Sequence, residues 1–228
     1  MLISVFDINI PNFKKENIIH LYMISDWIEP RFLIEEEKAQ LKQTFVDAKP
    51  FCHLEIQDFF IPEKLNIVLS ALAEEKFHDK ASDLFQFMQT NDLKHTTNSV
   101  LQEFISIIYS QEFIEFMQDI TGLLFTPSIV DIAGTLYQDT DYLLCHDDEL
   151  EGRKIAFLIY LTDLKKDEGG ALALYESEKN KPTTISTRII PTFNSFSFFE
   201  VSDISFHEVE EIVKPVQRIA IGGWLHEN

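Results

Sequence analysis

Cys145-His146-Asp147-Asp148-Glu149-Leu150-Glu151-Gly152-Arg153 runs directly into Lys154-Ile155-Ala156-Phe157-Leu158-Ile159-Tyr160-Leu161. Ile155 to Leu161 is apolar at consecutive positions, as a strand is when both its faces are covered. The polar residues before it read as the connection that delivers the chain into that strand.

The same character continues on either side. Short β-rich runs alternate with turn chemistry, and strands are expected near 128–138, 142–146, 154–162, 170–175, 184–190, 195–201, 205–209 and 216–225. Asp139-Thr140-Asp141, Asp167-Glu168-Gly169-Gly170, Asn180-Lys181-Pro182 and Pro191-Thr192-Phe193-Asn194 punctuate them. About eight strands in the last hundred residues predict a jelly-roll or cupin-like barrel.

The first half is helical in pattern. Ile34, Leu41 and Phe45 share one face of a helix expected over 31–48 and ended before Pro50. Phe51–Phe60 alternates as a strand, and Pro62 suits the first turn of a helix carrying Leu65, Val68, Leu69 and Leu72. Leu101, Phe104, Ile105 and Ile108 form one further stripe. Phe113, Phe116, Met117 and Ile120 form another, which Gly122 can cap. Residues 77–97 are polar and mixed and read as irregular with a short helix. Ile3, Val5 and Ile8 to Ile10 suggest an edge strand. The expected organisation is an α+β unit: an N-terminal helical extension over 1–48, then 49–228 with helices at about 62–121 packed on a barrel at about 124–228.

Composition narrows the class. The 228 residues are 45% hydrophobic and include 20 Phe, enough for a substantial core. The 38 acidic residues against 19 basic ones give a net charge of -19. That surface repels nucleic acid and anionic membranes and favours a basic partner or simple solubility. Two cysteines, Cys52 and Cys145, make no disulfide framework. The N-terminus lacks a basic region followed by a long apolar stretch, and no apolar run approaches a membrane span. A reducing, cytoplasmic setting is the expectation.

His146 and Asp148 are two metal-ligand types in a His-x-Asp spacing. On an extended strand, residues i and i+2 point to the same side. His207, in Phe206-His207-Glu208, starts a later strand and supplies a third ligand. Two histidines and one carboxylate can occupy one face of an iron(II) ion and leave the other open. The spacing by itself is common, and an isolated histidine is more often a surface residue. Arg218 adds weight, because it lies on the expected strand Val216-Gln217-Arg218-Ile219-Ala220-Ile221. An arginine directed into a barrel requires an anionic partner, and a dicarboxylate supplies one through a two-pronged contact. An outward-facing arginine would need none. His20, His53, His78, His95 and His226 show no partner pattern.

The run from His146 to Leu161 resembles the signature of the cytoplasmic and nuclear prolyl hydroxylases that act on a small-subunit ribosomal protein, and of related bacterial proteins. Further matches are Lys49 to Leu54, Asn91-Asp-Leu93, Gly169-Gly170, Phe198 to Val201, Val209 and Gly223-Trp224. The resemblance implies a double-stranded β-helix, with iron held by His146, Asp148 and His207 and the distal carboxylate of 2-oxoglutarate held by Arg218. Tyr137 matches a tyrosine whose hydroxyl assists that carboxylate, although as a residue it reads equally as a core tyrosine. The implied reaction consumes 2-oxoglutarate and O2, hydroxylates a prolyl residue and releases succinate and CO2, with ascorbate as an accessory reductant. The implied partner is a protein substrate, a basic ribosomal protein among the candidates. Oligomeric state is not implied. Asp147 is expected to point away from the metal and brace its surroundings. Phe157, Phe198 and Trp224 are read as walls of the cavity. Substrate-contacting loops are sought in Phe77–His95 and Asp163–Glu168.

The eukaryotic members carry a second, non-catalytic barrel after the first. This sequence ends at Asn228, just past the last expected strand, so the resemblance bears on the chemistry more than on the ribosomal substrate. Three other readings stay open: a zinc hydrolase, which leaves Arg218 and Tyr137 unexplained; a silent binding module on the same fold; and an oxygenase of a free amino acid or small molecule.

Overall fold

The computed structural model describes residues 23–126, 129–150 and 152–227. The edge strand expected at residues 3–10 lies outside them. Among the described residues four α-helices precede Val130, and the first, expected from residue 31, begins at Glu35 after a 3-10 turn over Pro30–Leu33. Helix α1 (Glu35–Asp47) opens on Glu35, Glu36 and Glu37, whose charges favour the helix N-terminus. Helix α2 (Pro62–Leu72) has proline in its first turn. Helix α3 (Ser99–Ile108) is capped by Asn98, whose side chain accepts from the backbone N–H groups of Val100 and Leu101. Helix α4 (Gln111–Thr121) is capped by Ser110 and closed by Gly122 at φ 74°.

The strands are β1 (His53–Ile56), β2 (His78–Ser82), β3 (Phe85–Gln89), β4 (Val130–Tyr137), β5 (Tyr142–His146), β6 (Arg153–Tyr160), β7 (Leu172–Ser177), β8 (Pro182–Ile189), β9 (Phe196–Glu200), β10 (His207–Val209) and β11 (Arg218–His226). They pair in the order β1-β9-β6-β11-β4-β3-β5-β10-β7-β8, with β2 on the side of β3. All pairings are antiparallel. The expected eight strands of the last hundred residues are β4 to β11. The arrangement is the predicted barrel with helices packed on one sheet.

Two cores account for the unbroken apolar run in β6. Ile155, Phe157 and Ile159 face the helices, in one cluster with Phe45 of α1, Leu65 of α2, Phe104 of α3 and Phe113 of α4. Ala156 and Tyr160 face the other way and pack with Leu172 and Leu174 of β7, Ile189 of β8 and Phe199 of β9. The helix-side core is rich in rings: Phe59 and Phe196 stack at 4.8 Å, and Phe45 and Phe198 at 5.6 Å.

Residues 77–97 correct the expectation of an irregular stretch. They form the β2–β3 hairpin, followed by a short 3-10 turn at Leu93–His95. Strand β2 is exposed along most of its length, so no apolar alternation marks it. It is held by backbone pairing to β3. Strand β3 in turn pairs with β4 through Met88 and Gln89 and with β5 through Phe85 and Gln86, joining the helix-backed sheet to the opposite one. The strand expected over 51–60 is shorter, His53–Ile56, because Gln57 and Asp58 are exposed and Asp58 has φ 53°.

Candidate metal and dicarboxylate site

His146, Asp148 and His207 meet at one end of the barrel. His146 closes β5 and His207 opens β10, and the two are directly opposed across the antiparallel pair. Their rings lie 4.2 Å apart between centroids. Asp148 Oδ1 is 3.4 Å from His146 Nε2, and Asp148 Oδ2 is 3.4 Å from His207 Nε2. One ligand atom from each residue lies within 4.8 Å of the others, a spacing that can surround one metal ion.

The reason for this convergence differs from strand alternation. Leu143 opposes Val209 while His146 opposes His207, so three residue steps on β5 face two on β10. The extra residue is a bulge, which re-aims the side chains beyond it. Asp148 lies past the strand end with φ 62°, a left-handed conformation that aspartate tolerates better than most residues. The His-x-Asp pair is therefore brought together by a bulge and a left-handed residue, not by an extended backbone.

Hydrogen bonds fix both imidazoles. His146 Nδ1 is 2.9 Å from the Leu144 carbonyl oxygen, and His207 Nδ1 is 2.8 Å from that of Ser205. A carbonyl only accepts, so each Nδ1 donates to it, and each Nε2 is turned to Asp148 and the shared space, where it can ligate a metal once it carries no proton. Burial pushes the Asp148 carboxyl up, but hydrogen bonding and charge from His146 and His207 outweigh it and hold the group below the usual carboxylate range. For His146, burial pulls the imidazole down while Asp148 and the Leu144 carbonyl raise it, and the net direction is up.

Of the surrounding residues, the sequence reading names Trp224 as a cavity wall and Asp147 as a brace, but neither Arg153 nor Ser205. Trp224 Nε1 donates to Asp148 Oδ2 at 3.0 Å. The Arg153 guanidinium lies 3.6 Å over the Trp224 ring and 3.7 Å from Asp148 Oδ1. Ser205 Oγ donates to the Asp147 carbonyl oxygen, and Asp147 Oδ1 accepts from the Glu149 N–H. Asp147 thus braces the loop as expected, through its turn and its backbone. His226 pairs with Asp131 at 3.1 Å.

Phe157 and Phe198 correct a further expectation: both lie in the helix-side core and cannot wall the site. Phe199, one position on, faces inward and packs 4.5 Å from the His207 ring. A single step along a strand reverses the face, and Phe196, Phe198 and Phe199 do not reveal from composition which way each points.

Arg218 starts β11 directly opposite Tyr137, the last residue of β4. It is 1% exposed. Its Nε donates to the Gly170 carbonyl oxygen at 2.9 Å, and its Nη2 reaches the Tyr160 hydroxyl at 3.4 Å. The rings of Tyr137 and Tyr160 lie 5.1 and 5.0 Å from the guanidinium carbon. Among the described residues no carboxylate pairs with it. Burial pushes the Tyr137 phenol up, against a smaller downward pull from Arg218, so it keeps its proton and can donate; Asp148 is among the charges that raise it. Phe87 of β3 stacks on Tyr137 at 4.9 Å. Gly170 has φ 72°, and a Cβ there would meet Ile212 at 2.4 Å and the Arg218 side chain at 3.3 Å.

Residues 132–226 match the family model described as the 2OG-Fe(II) oxygenase superfamily. The chain is 36% identical over 185 residues to the mouse protein named prolyl 3-hydroxylase OGFOD1, a match covering 79% of this chain and 34% of that one. It is 33% identical over 199 residues to the Ostreococcus tauri prolyl 3,4-dihydroxylase OGFOD1, covering 79% and 39%. The chain thus spans between 34% and 39% of the length of these curated relatives. Among solved structures, a Pseudomonas putida prolyl-4-hydroxylase superposes with TM-score 0.66 at 12% identity, covering 82% of this chain and 99% of that one. A Trichoplax adhaerens prolyl hydroxylase, solved with a peptide fragment of hypoxia inducible factor, superposes with TM-score 0.65 at 16% identity, covering 85% and 90%. At these identities the superpositions establish the fold, a double-stranded β-helix.

Proposed function

We propose that the chain is an Fe(II)- and 2-oxoglutarate-dependent dioxygenase of the superfamily whose model residues 132–226 match, and that it hydroxylates a prolyl residue of a protein. Residues 49–228 form the catalytic unit in this reading. The observation that carries it is Arg218: a fully buried guanidinium with no carboxylate partner among the described residues, beside a protonated phenol, in the same barrel as a His-Asp-His cluster. A buried charge of this kind demands an anion, and the dicarboxylate cosubstrate has one to give.

His146 Nε2, Asp148 and His207 Nε2 would hold iron, each Nδ1 being engaged by a backbone carbonyl and each Nε2 turned to the shared space. Arg218 and Tyr137 would bind the distal carboxylate of 2-oxoglutarate and orient its keto acid end toward the metal. When bound, the iron supplies the redox chemistry with O2, in which 2-oxoglutarate becomes succinate and CO2 and the second oxygen atom enters a prolyl C–H bond. The protein's share is placement, charge and exclusion of water: Phe199 packs on His207, and the apolar interior of β6, β7 and β8 closes the barrel behind the site.

The relatives' names favour C3 of proline as the position hydroxylated. The net charge of -19 favours a basic substrate, and the resemblance of His146 to Leu161 to the ribosomal-protein prolyl hydroxylases puts a ribosomal protein first among the candidates; the same resemblance carries the expectation of a cytoplasmic setting and of ascorbate as accessory reductant. Among the described residues no helix is long and apolar enough to cross a membrane. The test is anaerobic binding of Fe(II) and 2-oxoglutarate, followed by exposure to air with a ribosomal-protein peptide. A product heavier by one oxygen, localised to proline, supports the whole reading. Succinate release with no peptide change removes the substrate and keeps the class. Absence of both metal and 2-oxoglutarate binding sinks the reading.

A further inference from the structure

Asp148 offers two oxygens, and the two histidines do not choose between them: Oδ1 stands 3.4 Å from His146 Nε2 and Oδ2 stands 3.4 Å from His207 Nε2. The choice matters. A carboxylate bound through one oxygen leaves three positions of an octahedral ion open beside two histidines; one bound through both leaves two. A keto acid that chelates and a molecule of O2 together need three.

The residues around Asp148 break that symmetry. Trp224 Nε1 donates to Oδ2 at 3.0 Å, a well-formed hydrogen bond. Oδ1 has Arg153 Nη1 at 3.7 Å, beyond hydrogen-bond distance, so its lone pairs remain available. The indole has little freedom to let go. Its backbone is paired on both sides, to Asp131 of β4 and Ala156 of β6. The guanidinium carbon of Arg153 sits 3.6 Å from the ring centroid.

We propose that Trp224, pinned by Arg153, makes Asp148 a one-oxygen metal ligand and so keeps the third coordination position open. Both are positioning residues: they act on the metal through Asp148. The inference rests on the proposed metal site, and its test separates the two.

The probe is Co(II) alone, titrated under argon into the full chain without 2-oxoglutarate and followed by absorption. Trp224→Phe keeps an aromatic ring and removes the N–H. Its affinity for Co(II) should fall about 10- to 100-fold, the usual effect of losing a partner that orients a metal ligand. Its absorption spectrum should change as the second oxygen takes up one of the open positions. Unchanged affinity and spectrum in a folded Trp224→Phe protein would overturn the proposal.

Arg153→Gln gives an independent sign. If Arg153 acted only as a nearby positive charge, removing it would tighten cation binding. If it pins the indole, removing it should weaken binding several-fold despite that electrostatic gain. Tighter binding in Arg153→Gln overturns the pinning role whether or not Trp224→Phe folds. A wild-type chain that binds no Co(II) removes the metal site itself, and the inference with it.

Discussion

Replacing Arg218 by methionine separates a ligand-binding arginine from a structural one, because the two readings predict opposite balances of stability and affinity. Arg218 is 1% exposed, donates one good hydrogen bond to the Gly170 carbonyl oxygen, and lies between two tyrosine rings with no carboxylate partner among the described residues. Those contacts return about 2–4 kcal/mol, while desolvating the ion costs several kcal/mol even after relaxation. Methionine of similar length leaves the Gly170 carbonyl without this donor but removes the ion. The ligand-free variant should therefore match the wild type or exceed it by up to about 2 kcal/mol. Two charge-assisted hydrogen bonds to a carboxylate are worth about 3–6 kcal/mol, so the dissociation constant for 2-oxoglutarate should rise at least about 100-fold.

Thermal unfolding under argon, with a redox-inert divalent metal, reads both quantities. At a concentration about 100 times its dissociation constant, 2-oxoglutarate stabilises the wild type by about 2.7 kcal/mol, roughly 5–11 °C for a domain of this size. At the same concentration Arg218→Met should shift by only about 1 °C. A variant destabilised by 3 kcal/mol or more would mark Arg218 as a structural ion. One that keeps the full 2-oxoglutarate shift would refute its role in holding the carboxylate.

His146→Ala and Asp148→Ala should each abolish 2-oxoglutarate turnover while leaving circular dichroism and cooperative unfolding intact, since both residues lie at a strand end or beyond it; undiminished succinate release in either rejects the triad. Metal affinity should fall as pH falls, because the His146 imidazole is raised by Asp148 and its Nε2 must be unprotonated to ligate. Below that raised value the decline should approach tenfold per pH unit, and isothermal titration at several pH values would expose a flat profile if His146 is no ligand. Gly170→Ala should destabilise by about 2–4 kcal/mol in urea, from the left-handed φ of 72° and the clash of the added Cβ with Ile212, and should also weaken 2-oxoglutarate binding by shifting the Arg218 side chain. A neutral Gly170→Ala would place the strain elsewhere.

Much of the fold was legible because it depends on periodicities that a sequence displays. The stripes of α3 and α4 have a buried face, and Gly122 and Ser110 stand at the ends of α4 where capping requires them. The two-faced apolar run of β6 announced a central strand, and β6 lies between β9 and β11. The β2–β3 hairpin was missed because β2 buries almost nothing; its place is set by backbone pairing, which side chains do not record. The Phe85-Gln86-Phe87 alternation was the available signal for β3. At the site, residue types were readable and their surroundings were not. Nothing near Trp224 or Arg153 in sequence identifies a contact with Asp148, because that contact depends on the register of β11 against β4 and β6. The assignment of Phe157 and Phe198 to the site failed on the same ground: which face a residue occupies follows from register, and Phe199 was one step away.

Strand β3 carries a consequence for what the barrel accepts. One of its ends is hydrogen-bonded beside Tyr137, through Met88 and Leu136; the other is bonded to Tyr142 and Leu143, a few residues short of His146. On the proposed reading these are the neighbourhoods of the two ends of the cosubstrate, so β3 works as a spacer bar between them. Slipping it by one residue would move the two anchor points relative to each other by about 3.3 Å, far more than the length added by one methylene. Tolerance for a shorter or longer dicarboxylate thus depends on backbone pairing as well as on the side chains that hold its carboxylate. Insertions at the hairpin tip, around Asp83 and Leu84, should leave that tolerance untouched, while an insertion within Phe85–Gln89 should change it.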